Sequence, residues 1–224
     1  MSIPVTLQSL TYTDPNSETT DWQLIMLHGW GANAVDLLGL APYLRLSNFS
    51  MQFPDAPWPH PQVPGGRMWY SFPFGYDFRQ PHDFDQQEDL QISRQLLKDW
   101  LVELSQSSQI PLERTILAGF SQGGAMTLDI GSQLPLAGQI VLSGYLHSEF
   151  SPPVSDRKLL MVHGRFDPVV PFEKAQSAQV SLREKGQPVA FHEISMGHEI
   201  LPEVIQLISA FCEDLRQGHG QSSP

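Results

Sequence analysis

Residues 117–126 read LAGFSQGGAM and set one serine among three glycines, directly after an apolar run. Residues 119–123 have the form G-x-S-x-G and stand between a predicted strand and a predicted helix. The glycines suit a turn so sharp that the serine takes a strained backbone conformation. The pattern therefore predicts a nucleophile elbow that lifts the Ser121 hydroxyl clear of the carboxyl edge of a sheet.

Short apolar runs alternate with amphipathic segments along most of the chain. Several runs are apolar on both faces, as expected for strands that helices cover on both sides. The alternation predicts the α/β class: a single domain with a mostly parallel, doubly wound sheet flanked by helices. The predicted strands cover 22–28, 48–54, 114–120, 138–144, 158–164 and 188–194, and the predicted helices cover 88–106, 122–133, about 171–185 and a segment around Cys212.

The composition is that of a folded chain with an acidic surface. Of 224 residues, 41% are hydrophobic and 17% charged, which favours one packed domain, predicted over residues 1–216 with a flexible tail at 217–224. A formal net charge of −11 disfavours nucleic acid as a partner. No apolar run is long enough for a membrane span and no signal peptide is apparent, so we expect no stable membrane insertion and a cytoplasmic location.

A serine hydroxyl is a poor nucleophile without a base, so the elbow needs partners downstream. Asp167 follows the predicted strand 158–164 in HGRFDPVVP, and His198 follows the next strand in MGHEI. Because parallel strands end at one edge of a sheet, the three side chains can converge there, in the chain order nucleophile, acid, histidine. Ser121, Asp167 and His198 are therefore the predicted catalytic residues.

The strand 22–28 runs into a glycine-flanked turn, HGWG, at residues 28–31. Backbone amides in such a turn can face the negative charge that develops on an attacked carbonyl oxygen. We predict an oxyanion hole made by the backbone N–H of Trp30 and that of Gln122. The other histidines have no ligand-like spacing with Cys, Asp or Glu, so neither a metal nor a cofactor is expected.

Residues 54–84 interrupt the alternation with many prolines and eight aromatic rings. A connection of this length is usually functional or disordered, and its aromatic content disfavours disorder. Either the loop packs over the sheet end and uses its rings as a small core, or part of it lines an apolar substrate groove near the active site. The two interpretations are compatible.

Four segments, LHGWGAN, GFSQGGAM, HGRFDPVVP and MGHEI, together resemble the phospholipase/carboxylesterase family of α/β-hydrolases, which includes acyl-protein thioesterases. The resemblance runs in order from about residue 22 to residue 210. It implies the same triad and oxyanion amides and a border of the acyl pocket at residues 66–72. It departs from the family at Arg165, often acidic there, and at Trp30, where the family often has a smaller aliphatic residue.

The resemblance to that family sets the expected activity. It implies a carboxylesterase or acyl thioesterase that acts on a small-molecule ester or acyl-thioester through an acyl-enzyme. The 66–72 stretch gives Trp69, Tyr70 and Phe72 as substrate-binding residues. The alternatives are a lysophospholipase, a dienelactone-type hydrolase, or a non-catalytic small-molecule-binding protein on the same fold.

Overall fold

The computed structural model describes residues 6–80, 82, 84–148 and 157–220. Nine strands and six helices lie in these ranges, together with 3-10 turns at Phe84–Gln86 and Leu112–Arg114. The strands are β1 (Ser9–Thr13), β2 (Trp22–Leu27), β3 (Phe49–Pro54), β4 (Trp58–Pro59), β5 (Arg67–Met68), β6 (Thr115–Phe120), β7 (Gly138–Leu142), β8 (Lys158–Gly164) and β9 (Val189–Ile194). The helices are α1 (Ala34–Leu38), α2 (Ala41–Leu44), α3 (Glu88–Ser108), α4 (Gln122–Gly131), α5 (Phe172–Glu184) and α6 (Pro202–Gly220).

Seven strands form one sheet in the order β1-β3-β2-β6-β7-β8-β9. All neighbours pair in parallel except the edge strand β1, which runs antiparallel to β3. The predicted mostly parallel sheet is therefore confirmed. The sequence analysis missed β1, whose side chains are exposed or only partly buried, so that it lacks the apolar run that marks the other strands.

Side chains of the central strands alternate between two apolar layers. Leu24 and Met26 of β2 pack into one layer with α1, α2 and α6, whereas Ile25 and Leu27 pack into the other with α3 and α4. Helix α5 covers β8 on the same face as α4. Helices thus cover both faces, which explains why the strands read as apolar on both sides. Cys212 is buried in the first layer, and burial raises the pKa of its thiol.

The chain terminus differs from the prediction. Helix α6 continues to Gly220, so residues 217–220 are helical rather than a flexible tail. The ring of His219 packs edge-on against Trp22, with centroids 5.6 Å apart, and this contact joins the end of α6 to β2. Residues 221–224 lie outside the described residues.

The segment 54–84 has two parts. The first forms a short hairpin in which β4 pairs with β5 in antiparallel fashion. In the second, Phe72 stacks on Tyr76 with centroids 4.9 Å apart, and Phe78 packs edge-on against Tyr145 beyond β7. The rings therefore form a small core of their own over the sheet end, as the first interpretation predicts, while residues 81 and 83 lie outside the described ranges.

Candidate active site

Ser121 stands alone between β6 and α4 with φ 55° and ψ −116°, a conformation that a residue with a side chain rarely adopts. Its backbone N–H donates to Leu142 O over 2.8 Å, which ties the elbow to the end of β7. The flanking glycines permit this turn. A Cβ at Gly119 would lie 2.6 Å from Thr127 Oγ1, and one at Gly123 would lie 2.6 Å from Leu27 C.

Asp167 and His198 meet at the carboxyl edge of the sheet, beyond β8 and β9. His198 Nδ1 lies 2.7 Å from Asp167 Oδ2, and the Asp167 side chain has no exposed surface. The other carboxylate oxygen accepts the backbone N–H groups of Val169 and Val170, each over 2.9 Å. The structure therefore brings the predicted acid and base into direct contact.

The surroundings of Asp167 favour its ionised form. Burial opposes ionisation of Asp167, but its bonds to His198, Val169 and Val170 outweigh burial and hold its pKa below the ordinary value. An ionised carboxylate only accepts, so in the neutral imidazole the proton lies on His198 Nδ1, and Nε2 is the nitrogen that can take up a proton. His163 also lies near Asp167, at 3.5 Å, but it is bonded to Val170 O, and burial lowers its pKa.

The elbow that carries Ser121 reaches this pair through the residue before the serine. The ring of Phe120, the residue before Ser121, packs against the His198 ring with centroids 4.7 Å apart. Among the described residues, the Ser121 hydroxyl makes no hydrogen bond, to His198 or to any other group. The Phe120–His198 contact brings the elbow next to the histidine, although no hydrogen bond joins the Ser121 hydroxyl to it, and such bonds often tighten only when substrate binds.

The turn at residues 28–31, called the oxyanion turn for its predicted role, packs directly against the elbow. A Cβ at Gly29 would lie 3.3 Å from Ser121 Cβ. His28 fixes the turn, since Nδ1 bonds to Gly29 O at 2.8 Å and Nε2 accepts the Ala56 N–H at 3.0 Å. Burial lowers the pKa of His28 and keeps it neutral, as these two roles require. Within the described part of the chain, the Trp30 N–H has no acceptor.

Gln122 supplies the second predicted amide, and its side chain is clamped. Its Oε1 accepts the backbone N–H of Trp69 over 2.8 Å, while its Nε2 donates to Tyr70 O over 2.8 Å. As the first residue of α4, Gln122 has a backbone N–H without an acceptor inside the helix. The two side-chain hydrogen bonds therefore fix the position of Gln122, and with it the backbone N–H that has no acceptor inside the helix.

The predicted substrate-binding residues separate into two groups. Trp69 and Tyr70 are fully buried, with Trp69 Nε1 donating to His28 O over 3.0 Å. Both side chains support the oxyanion turn and the aromatic core and present no surface to a ligand. Phe72 is partly buried and packs edge-on against the half-exposed Trp30, with centroids 5.7 Å apart, so it alone remains a candidate for substrate contact.

A buried polar network beneath Tyr70 escaped the sequence analysis. Tyr70 Oη lies 2.5 Å from Tyr145 Oη and 2.8 Å from His147 Nε2, and His147 Nδ1 lies 2.8 Å from Asp129 Oδ2. Arg94 Nε donates to the same Asp129 oxygen over 2.6 Å. Its residues lie far apart in sequence and share no motif, so only the folded structure could reveal the network. Through Tyr70, the network anchors the segment whose backbone binds the Gln122 side chain.

The Asp129 carboxylate is expected to make the fold sensitive to acid. Burial opposes its ionisation, but His147 and Arg94 outweigh burial and lower its pKa below the unfolded value of about 3.9. The folded state then binds fewer protons, so this stabilisation is complete above that value and is lost as pH falls through the folded pKa. Between pH 7 and pH 3, the free energy of urea unfolding should change less in Asp129→Asn than in the wild type.

Glu184→Gln, on the exposed face of α5, is the control for this experiment and should follow the wild-type pH dependence. An Asp129→Asn variant whose stability falls with pH as steeply as that of the wild type would contradict the assignment of Asp129.

No helix in 6–80, 82, 84–148 or 157–220 is long and apolar enough to cross a bilayer. Nor do three His, Cys, Asp or Glu side chains cluster there in a way that could hold a metal ion.

The sheet order, the strained serine between β6 and α4, and the acid and histidine beyond β8 and β9 define an α/β-hydrolase. The sequence model of the phospholipase/carboxylesterase family matches residues 13–215. The chain therefore belongs to that family.

Similar proteins and a similar crystal structure agree with this family assignment. Acyl-protein thioesterase 1 of Gibberella zeae is 31% identical over 173 residues, which cover 68% of this chain and 73% of the relative. Acyl-protein thioesterase 1 homolog 1 of Dictyostelium discoideum is 26% identical over 92% of this chain and 96% of its own. The crystal structure of esterase PE8 superposes with a TM-score of 0.85 and 25% identity, covering 94% of this chain and all of its own.

Proposed function

We propose that this protein is a serine hydrolase that cleaves carboxylic esters or acyl thioesters, with Ser121 as nucleophile, His198 as base and Asp167 as the acid that orients it. The observation that carries the proposal is the Asp167–His198 pair at 2.7 Å, at the sheet edge where the strained elbow presents Ser121. Family membership and relatives named as thioesterases and esterases support the same reaction class.

The reaction proceeds through an acyl-enzyme. Ser121 Oγ attacks the acyl carbon while His198 Nε2 takes its proton, and Asp167 stabilises the resulting imidazolium. The carbonyl oxygen becomes an oxyanion that accepts the N–H groups of Trp30 and Gln122. The tetrahedral intermediate collapses, and His198 returns the proton to the departing alcohol or thiol. Water, deprotonated by the same histidine, then attacks the acyl-enzyme and releases the acid and Ser121.

The substrate is proposed to be a small-molecule ester or acyl thioester. Each step uses side chains and amides of this chain and consumes only the substrate and water, so the proposed mechanism needs no cofactor. The Trp30 and Phe72 rings pack edge-on against each other, and Trp30 directly follows Gly29, which lies against Ser121. These apolar rings favour an apolar acyl or leaving group. Lysophospholipase or dienelactone-type activity remains the alternative within enzymes, and the cytoplasmic location stays a prediction from the sequence.

A fluorophosphonate probe tests the class of the protein. The wild-type chain is expected to take up about one equivalent, because the activated serine attacks phosphorus as it attacks an acyl carbon. Peptide mapping should find the adduct on Ser121. Heat-denatured protein is the control and should not react, since the reaction needs the assembled triad. A folded protein that takes up no probe would indicate a binding protein rather than a hydrolase.

A further inference from the structure

The β4–β5 hairpin is fastened to the oxyanion turn by backbone hydrogen bonds. Gly31 N donates to Arg67 O, and Arg67 N donates to Ala32 O, each over 2.8 Å. A Cβ at Gly66 would lie 2.5 Å from Gly31 O, so the hairpin and the turn are in direct contact. The position of Trp30 therefore depends on this hairpin.

His60 follows β4 in the hairpin and is only 7% exposed, and its two ring nitrogens have different surroundings. Nδ1 accepts the backbone N–H groups of Gln62 and Val63 over 3.1 and 2.9 Å. A nitrogen that accepts carries no proton, so the proton lies on Nε2. Nε2 is buried and has no nitrogen or oxygen partner among the described residues. A buried N–H group without an acceptor lowers the stability of the folded state, so a native structure that keeps one is expected to offer it some compensating contact.

The imidazole ring that carries this nitrogen packs against an aromatic ring. The ring centroids of His60 and Trp30 lie 4.0 Å apart at 74°, an edge-to-face contact. The face of an indole carries negative charge and accepts an N–H donor weakly. Phe72 packs edge-on against Trp30 as well, at 5.7 Å. The indole is thus held by two rings.

We propose that His60 is a positioning residue of the oxyanion hole, whose Nε2–H points at the Trp30 indole and thereby fixes the backbone N–H of Trp30. The inference rests on the proposed function, in which that amide binds the oxyanion. Oxyanion donors act only within a narrow range of distance from the charge, so a small displacement of Trp30 lowers the rate of the chemical step without weakening substrate binding.

Kinetics of His60 variants test the positioning role. With a p-nitrophenyl ester and active sites counted by titration, His60→Phe keeps a ring but loses both nitrogens. It is expected to lower kcat about 10-fold while KM stays within about twofold. His60→Gln is expected to recover most of this loss, because its amide can accept the loop N–H groups and donate towards Trp30.

His192→Phe, on an exposed position of β9, is the matched control and should keep wild-type kinetics. A His60→Phe enzyme with kcat within about twofold of the wild type overturns the proposal, and so does a loss that appears only in KM.

Histidine NMR tests the contact without turnover. In protein with 15N-labelled histidine, His60 should show the Nε2–H tautomer, with that proton shifted upfield by the indole ring current. The shift should disappear in Trp30→Leu, and the His60 variants assign the signal. An Nδ1–H tautomer, or a signal unchanged in Trp30→Leu, overturns the proposal. An inactive wild-type protein that shows the expected spectrum would instead refute the proposed function and leave the contact in place.

Discussion

Ser121→Ala is expected to lower kcat on a p-nitrophenyl ester by about 10⁴-fold or more while the protein remains folded. The substitution removes the oxygen that bonds to the acyl carbon, so the residual rate comes only from binding and the oxyanion amides. Stability should change little, because the hydroxyl makes no hydrogen bond within the described residues and alanine has no more difficulty than serine at φ 55°. Steady-state kinetics and thermal unfolding of the same preparation measure both effects.

Ser143 offers a matched control for this substitution. Phe120 pairs with Leu142, so Ser143 follows β7 where Ser121 follows β6, and it too has a positive φ, of 50°. Its hydroxyl is buried without a hydrogen-bond partner among the described residues. Ser143→Ala should keep kcat within about threefold of the wild type. A Ser121→Ala enzyme as active as Ser143→Ala would end the proposal for Ser121.

The contact between Asp167 and His198 could be predicted from sequence because strand ends determine it. Asp167 follows the buried strand β8 and His198 follows the edge strand β9. Parallel strands end at one edge of the sheet, so the meeting of the two side chains at 2.7 Å agrees with the order of the elements. The glycines beside Ser121 could also be interpreted from sequence, because a sharp turn between a strand and a helix leaves no room for side chains there. These features depend on local patterns and on one rule of topology.

The supporting part of the site could not be predicted in this way. The Tyr70–His147 contact joins residues 77 apart in sequence. The hydrogen bonds of the Gln122 side chain reach Trp69 and Tyr70, 53 and 52 residues away. No sequence pattern predicts either set of contacts. Aromatic residues near an active site also suit two roles, pocket wall or core. The sequence assigned Trp69 and Tyr70 to the pocket, whereas hydrogen bonds to buried partners hold them in the core.

Gly123→Ala is expected to destabilise the protein by more than about 4 kcal/mol. A Cβ at this position would lie 2.6 Å from Leu27 C and 2.7 Å from His28 O, and it would also overlap Leu27 O. These are main-chain atoms at the end of β2, so no side-chain rotation relieves the clash, and either α4 or the oxyanion turn must move. Urea unfolding followed by circular dichroism measures the loss.

Activity should fall together with stability, because the same displacement moves the two amides that would bind the oxyanion, those of Trp30 and Gln122. Gly218→Ala is the control: a Cβ there meets no atom of the described residues within 4 Å, and in α6 alanine should be neutral or stabilising by up to about 1 kcal/mol. If Gly123→Ala unfolds within about 1 kcal/mol of the wild type, the close contact between elbow and turn is wrong. The geometric basis of the oxyanion hole would then be lost, even with the Asp167–His198 pair intact.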